Sequence, residues 1–195
     1  MKKQSLFLYF IGIILLSGCS EDYQLQKSVF INDVNNPGLP EYSEWGYNTF
    51  GAYIDRRVFA STNEELPGKI VVNKDTFNLI LKGESGYETV SLKFSIVGYS
   101  PADYPDLISL NDSVIDLKNP RCIVTLAYPN SSKKLTVSEG NLYIKRVQKL
   151  SVDRVLTESI VSGTFSFKTF IDGEPVAVSN GRFDLGIGYD NFFKY

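Results

Sequence analysis

Histidine is missing altogether from this chain of 195 residues. That excludes Ser-His-Asp and Cys-His nucleophilic catalysis, which need an imidazole base, and removes a ligand that most zinc sites use. Cysteine is scarce, with Cys19 and Cys122 alone. Cys122 lies in the apolar run Arg121-Cys122-Ile123-Val124-Thr125-Leu126, which reads as a buried strand. It is expected to be a small core hydrophobe, since nothing in the chain supplies the imidazole that usually generates a thiolate. Beyond residue 19 no apolar run approaches the roughly 20 residues that cross a bilayer. No basic cluster occurs either. Without Lys2 and Lys3 the remainder carries 18 basic and 22 acidic side chains, so there is no electrostatic footprint for nucleic acid. Long amphipathic helices, a strand–helix alternation and internal repeats are all wanting, which excludes doubly wound folds and solenoids.

What the chain does have starts at its first residue. Lys2 and Lys3 precede an apolar run from Leu6 to Leu16, the length of a signal-peptide core rather than a membrane span. Leu16-Ser17-Gly18-Cys19 then sets small residues before a cysteine, as a bacterial lipoprotein signal requires. Residues 1–18 are therefore expected to be cleaved, and Cys19 to carry the fatty acyl chains that hold the protein on a membrane. Residues 19–45 are polar and interrupted by Pro37, Gly38 and Pro40, and read as a tether. Within them Val29-Phe30-Ile31 is a short apolar patch, a strand or a docking point. Residues 46–195 are read as one β-domain.

Within that domain hydrophobicity alternates with period two. Strands are expected at 50–54, 58–60, 69–73 and 76–82, and Val90, Leu92, Phe94 and Ile96 mark another half-buried one. Short strands at 107–110 and 114–117, a stronger one at 121–128, a turn at 129–132 and a strand at 135–137 follow. Segment 141–150 fits either period, and its β-rich surroundings favour a strand over a short helix. Val161, Gly163, Phe165 and Phe167 share one face, so Phe165 and Phe167 are expected to meet Phe183 in one core. Asp172-Gly173 and Asn180-Gly181 are both expected to be hairpin turns, giving a three-stranded meander. The fold class is all-β: a single antiparallel sandwich or a flattened, partly open barrel.

Gly163-Thr164-Phe165-Ser166-Phe167, followed by Asn180-Gly181-Arg182-Phe183-Asp184, resembles the C-terminal signature of a group of uncharacterised lipoproteins of the Bacteroidota. Asn48 to Ile54 resembles the opening strand of that group, and Leu142-Tyr143-Ile144 a strand preceding the signature. Ser20-Glu21-Asp22 resembles the acidic export signal of surface lipoproteins in the same phylum. The resemblance implies an all-β fold and an outer-membrane location facing outwards. It implies no activity and transfers no functional residue.

The remaining candidates are constellations of ordinary side chains. Ser131-x-x-Lys134 matches a nucleophile motif but sits in a turn between strands rather than on a helix. Gly186-Ile187-Gly188 lacks the strand–helix context of a phosphate loop. Asp103, Asp106, Asp112 and Asp116 read as turn residues without the calcium-loop spacing. Arg182 and Asp184 fall on one strand face, where each can pair with the other or with a neighbour. Aromatic residues crowd both ends of the domain, and Tyr42, Trp45, Tyr47 and Tyr189 are the candidate ligand contacts, as a stacking platform for sugar rings or the mouth of an apolar cavity. No catalytic residue, metal or cofactor is assigned. The expectation is a lipid-anchored cell-envelope protein with a non-catalytic binding or structural domain for a glycan or protein ligand. The alternative is a lipocalin-like carrier of a small apolar ligand.

Overall fold

The computed structural model describes residues 28–62 and 66–195, and every structural statement below concerns these. They are all-β. The strands are β1 (Thr49–Ile54), β2 (Arg57–Ala60), β3 (Gly68–Asn73), β4 (Thr76–Ser85), β5 (Glu88–Val97), β6 (Ser113–Asp116), β7 (Cys122–Tyr128), β8 (Ser131–Leu135), β9 (Glu139–Val152), β10 (Val155–Ile171), β11 (Glu174–Ile187) and β12 (Phe192–Lys194). They form one sheet in the order β6-β9-β10-β11-β1-β2-β4-β5-β7-β8, with β3 paired to β4 and to β12. Every pairing is antiparallel except the short β12–β3 ladder. The sheet does not close. Where the chain passes from β8 to β9 it touches β10 instead, Ser138 N donating to Lys168 O at 2.9 Å and Thr169 Oγ1 to Thr136 O at 3.0 Å. This is the expected all-β class, one unclosed sheet consistent with either the sandwich or the partly open barrel.

Period-two alternation makes the interior. In β5, Val90, Leu92 and Phe94 are buried while Ser91 and Lys93 are not. Phe165, Phe167 and Phe183 enter the same core, with Phe94 at 5.3 Å from the Phe165 ring and 6.3 Å from that of Phe167, and Phe165 at 6.5 Å from Phe183. Gly163 is a close approach: a Cβ there would stand 2.2 Å from Tyr143 O and 2.6 Å from the Phe183 ring. Segment 141–150 lies wholly in β9, with Leu142, Ile144 and Val147 inward. The Asp172-Gly173 turn joins β10 to β11 with positive φ at both residues. Asp153-Arg154 makes an equivalent turn between β9 and β10 without a glycine.

Four expectations are corrected. Residues 107–110 are not a strand but the end of a 3-10 helix, Tyr104–Leu110. The Asp103 side chain accepts from Tyr104 N at 2.7 Å, Asp106 Oδ2 accepts back from Asp103 N at 3.3 Å, and Pro105 suits the first turn. Tyr104, Leu107 and Leu110, three apart, then stack on the buried face of a three-residue helical period. Second, Asn180-Gly181 does not turn the chain. It lies inside β11, where Phe165 pairs with Gly181 but Phe167 with Val178, so an extra residue is accommodated as a bulge, with Asn180 at φ +52°. With β10 on one side and β1 on the other, β11 has ladders on both edges that hold it extended through the bulge. Third, Ser131 and Ser132 begin β8 rather than complete a turn, since Tyr128 and Ala127 of β7 pair with them directly, and β8 ends at Leu135.

The fourth concerns the segment read as a tether. From Ser28 onward it is a strap laid against the sheet. Val29 N donates to Tyr47 O, Asn32 bridges to Pro40, and Leu39 is fully buried. Leu39 supplies the apolar contact and Asp33 the polar one. Arg182 donates to the Asp33 carboxylate, and both side chains are nearly enclosed, at 12% and 14% exposure. The domain thus includes at least residues 28–45.

Candidate functional site

The strap, β9, β10 and β11 together build a concave surface on which chemically varied side chains converge. Its anchor is Asp184. This carboxylate is buried on the strap side of β11 and accepts from Ser43 Oγ, from Trp45 N at 3.1 Å, Gly46 N at 2.8 Å and Tyr47 N at 3.1 Å, and from Ser162 Oγ at 2.9 Å. Three successive backbone N–H groups can converge on one acceptor because Gly46 takes φ +77°, curling the strap around it. Asp184 is therefore not an ion-pair partner of Arg182, whose guanidinium turns to Asp33.

Held this way, the strap presents Tyr42 beside the outward face of β9. Period two sends Asn141, Tyr143 and Lys145 to that face while Leu142 and Ile144 go inward. The Lys145 ammonium lies 4.6 Å from the centre of the Tyr42 ring and 5.9 Å from that of Tyr143. Tyr143 donates to Asp112, and Tyr42 donates to Glu44 Oε1 at 2.9 Å. Burial, with Glu44 close by, pushes the Tyr42 phenol well above its ordinary range; the hydrogen bond to Asp112 raises Tyr143. Both phenols therefore stay protonated at neutral pH and act as polar-tipped rings rather than bases.

Between these rings and β11 lies a depression of about 440 Å³, floored by Thr164, Phe165 and Ser166 and walled by Asn180, Gly181 and Arg182. Two β-bulges flank it. Ser162 pairs with Arg146 but Gly163 with Ile144, which leaves Lys145 as the extra residue of β9. On the other side Asn180 sits in the bulge of β11. A bulge redirects a side chain that regular alternation would fix. Asn180, redirected in this way, and Lys145, outward by regular alternation beside the β9 bulge, both line the depression.

It continues at each end. Tyr42 also borders a recess of about 350 Å³ with Ser43, Glu44, Trp45, Arg146 and Gln148. Asn141 and Ser166 also border one of about 450 Å³ toward Lys168 and Ser179. In the first, Arg146 pairs with Glu44 at 3.3 Å and Gln148 donates to Glu44 O at 2.6 Å.

Of the residues singled out from sequence, Tyr42 and Trp45 come together here, Trp45 with its ring mostly in solvent. Tyr47 contributes its backbone N–H to the Asp184 clamp. Tyr189 stands apart, its ring packed edge-on at 5.2 Å against Tyr104 of the 3-10 helix. Cys19 lies outside the described residues. Cys122 is half-buried at the start of β7, and burial together with Asp116 raises its thiol pKa. Ser131 and Lys134 sit in β8, and Asp103 and Asp106 cap the 3-10 helix. Asn141, Tyr143, Lys145, Thr164 and Asn180 were missed. The alternation Asn141-Tyr143-Lys145 was the available signal, hidden by the ambiguous period of that segment. No family model matches this chain, and no curated protein or solved structure matches it.

Proposed function

We propose that this chain is a lipid-anchored outer-membrane protein of the Bacteroidota type, surface-facing, whose β-domain is a non-catalytic glycan-binding module. The observation that carries the binding reading is the strap-walled depression. Two tyrosine rings stand beside amide groups (Asn141, Asn180) and hydroxyls (Thr164, Ser166) on a rigid sheet. Rings cover the apolar faces of a pyranose and the polar groups match its hydroxyls, which is the chemistry that glycan recognition requires. A protein ligand fits less well, because no large apolar anchor pocket opens there. The carrier alternative loses ground for a different reason: the core phenylalanines that would line a cavity are in contact with one another.

The test is affinity electrophoresis of the full chain, in detergent, through gels containing a panel of soluble polysaccharides. At least one polysaccharide is expected to retard the wild type, and Tyr42→Ala to abolish most of that retardation while melting within a few degrees of it. Retardation by no polysaccharide, or retardation indifferent to Tyr42→Ala, would overturn the reading.

A further inference from the structure

We infer that the depression selects an acidic sugar unit, one bearing a carboxylate or sulfate group, and that Lys145 is the residue that recognises the charge. The inference rests on the glycan reading and deepens it. The whole chain is mildly acidic, with 22 acidic against 20 basic side chains. Yet the residues lining this depression include two cations, Lys145 and Arg182, and no carboxylate. Acidic groups on the surrounding elements are committed elsewhere, Asp184 among them inside its five-donor clamp. Asp33 is paired with Arg182, Glu44 with Arg146, and Asp112 accepts from the Tyr143 hydroxyl. Arg182 is thereby neutralised. Lys145 is not: among the described residues its ammonium meets tyrosine rings and no carboxylate.

That placement is specific. Lys145 shares the outward face with Asn141 and Tyr143, and it is held beside the depression over the Tyr42 and Tyr143 rings just before the β9 bulge shifts the alternation. A cation held over a ring face keeps its full charge and its donor hydrogens, because the ring occupies only one side of the ammonium. An anionic group entering beside Tyr42 gains a charge-assisted hydrogen bond with Lys145 while its sugar ring lies along the tyrosines. Asn141 on β9 and Asn180 in the opposite bulge stand on the two sides of such a ring, as amide donors and acceptors for its hydroxyls.

The experiment compares charged and neutral polymers of matched backbone. One pair is polygalacturonate and its carboxyl-reduced form; the other is dextran sulfate and dextran. Affinity electrophoresis of the full chain in detergent is expected to show at least about tenfold tighter binding to one acidic polymer than to its neutral partner, the size of one charge-assisted contact. Which pair responds identifies the group as carboxylate or sulfate. Lys145→Gln should erase that preference, Lys145→Arg should retain it, and Lys69→Gln on β3 should leave it untouched. Added salt should weaken the acidic binding and not the neutral. Equal binding to charged and neutral polymers overturns the inference while the glycan module stands. An acidic preference that survives Lys145→Gln also overturns it, assigning the effect to diffuse charge. Binding to none of the four, with none in the wider panel, removes both readings together.

Discussion

Asp184 illustrates how much one side chain can decide. Its burial with five donors means that truncation leaves three N–H groups and two hydroxyls without their acceptor. Buried donors stripped of a partner cost about 1–3 kcal/mol each, and water reaching the cavity relieves some of them. Asp184→Ala is accordingly expected to destabilise by roughly 3 kcal/mol or more in thermal melts; a loss below about 1 kcal/mol would contradict the clamp. Phe167→Ala should cost about 3–5 kcal/mol through the cavity it leaves against Phe94. Cys122 gives a chemical readout: burial and Asp116 hold its thiol protonated, so alkylation at pH 7 to 8 should run far slower than for an exposed cysteine and accelerate on unfolding. At this scale the apolar partners were legible and the polar ones were not. Phe165 and Phe167 declare their shared face by spacing alone. Asp184 declares only that it points away from the core, because its partners at Ser43–Tyr47 lie 137 to 141 residues away. No local pattern encodes a contact of that range.

Among the elements, the strap responds to pH in a predictable sense. The Asn36 amide, the Asn35 N–H and Arg182 hold the Asp33 carboxyl below its ordinary value of 3.8. A carboxyl with a depressed folded pKa favours the folded state above that ordinary value, and the contribution vanishes as pH falls through the folded pKa. Wild type should therefore outlast Asp33→Asn in melts at pH 6, and the gap should close below about pH 3.8. A constant gap would mean that Asp33 acts through packing alone. The strap also shows why composition misleads: Pro37, Gly38 and Pro40 resemble a flexible linker, yet Gly38 takes φ +83° beside Val58 and Leu39 is fully buried. Proline and glycine report unusual backbone, not whether that backbone is docked. The same holds for Asn180-Gly181, whose left-handed asparagine suits a hairpin and a bulge equally; only the neighbouring strands decide between them. The 3-10 helix was misread because three leucine-spaced positions between polar residues fit a short strand as readily as a single helical turn or two.

For the molecule as a whole, the all-β architecture followed from alternation and turn chemistry, while the openness of the sheet and the strap emerge only from pairing. The proposed anchor has a direct test in a bacterial host. Cys19→Ala is expected to abolish fatty-acid labelling and release the protein from membranes, and unchanged labelling would refute acylation at Cys19. Replacing Glu21 and Asp22 with alanine is expected to preserve labelling and remove cleavage by external protease in whole cells. The strap has one more consequence, a mechanical one. Any pull applied at the N-terminal side of Ser28 reaches the strap before it reaches the sheet, and is resisted first by the Val29–Tyr47 hydrogen bond and the Asn32–Pro40 bridge, then by Asp33–Arg182 and the Asp184 clamp. Peeling residues 28–47 would release roughly 70 Å of chain and carry Tyr42 away from Lys145 while the strands stay paired. Single-molecule pulling from the N-terminus should therefore show a small early extension of about that length ahead of the main rupture, absent in Asp184→Ala. A pull on the N-terminal side and a ligand held beside Tyr42 would then compete for the same twenty or so residues of chain.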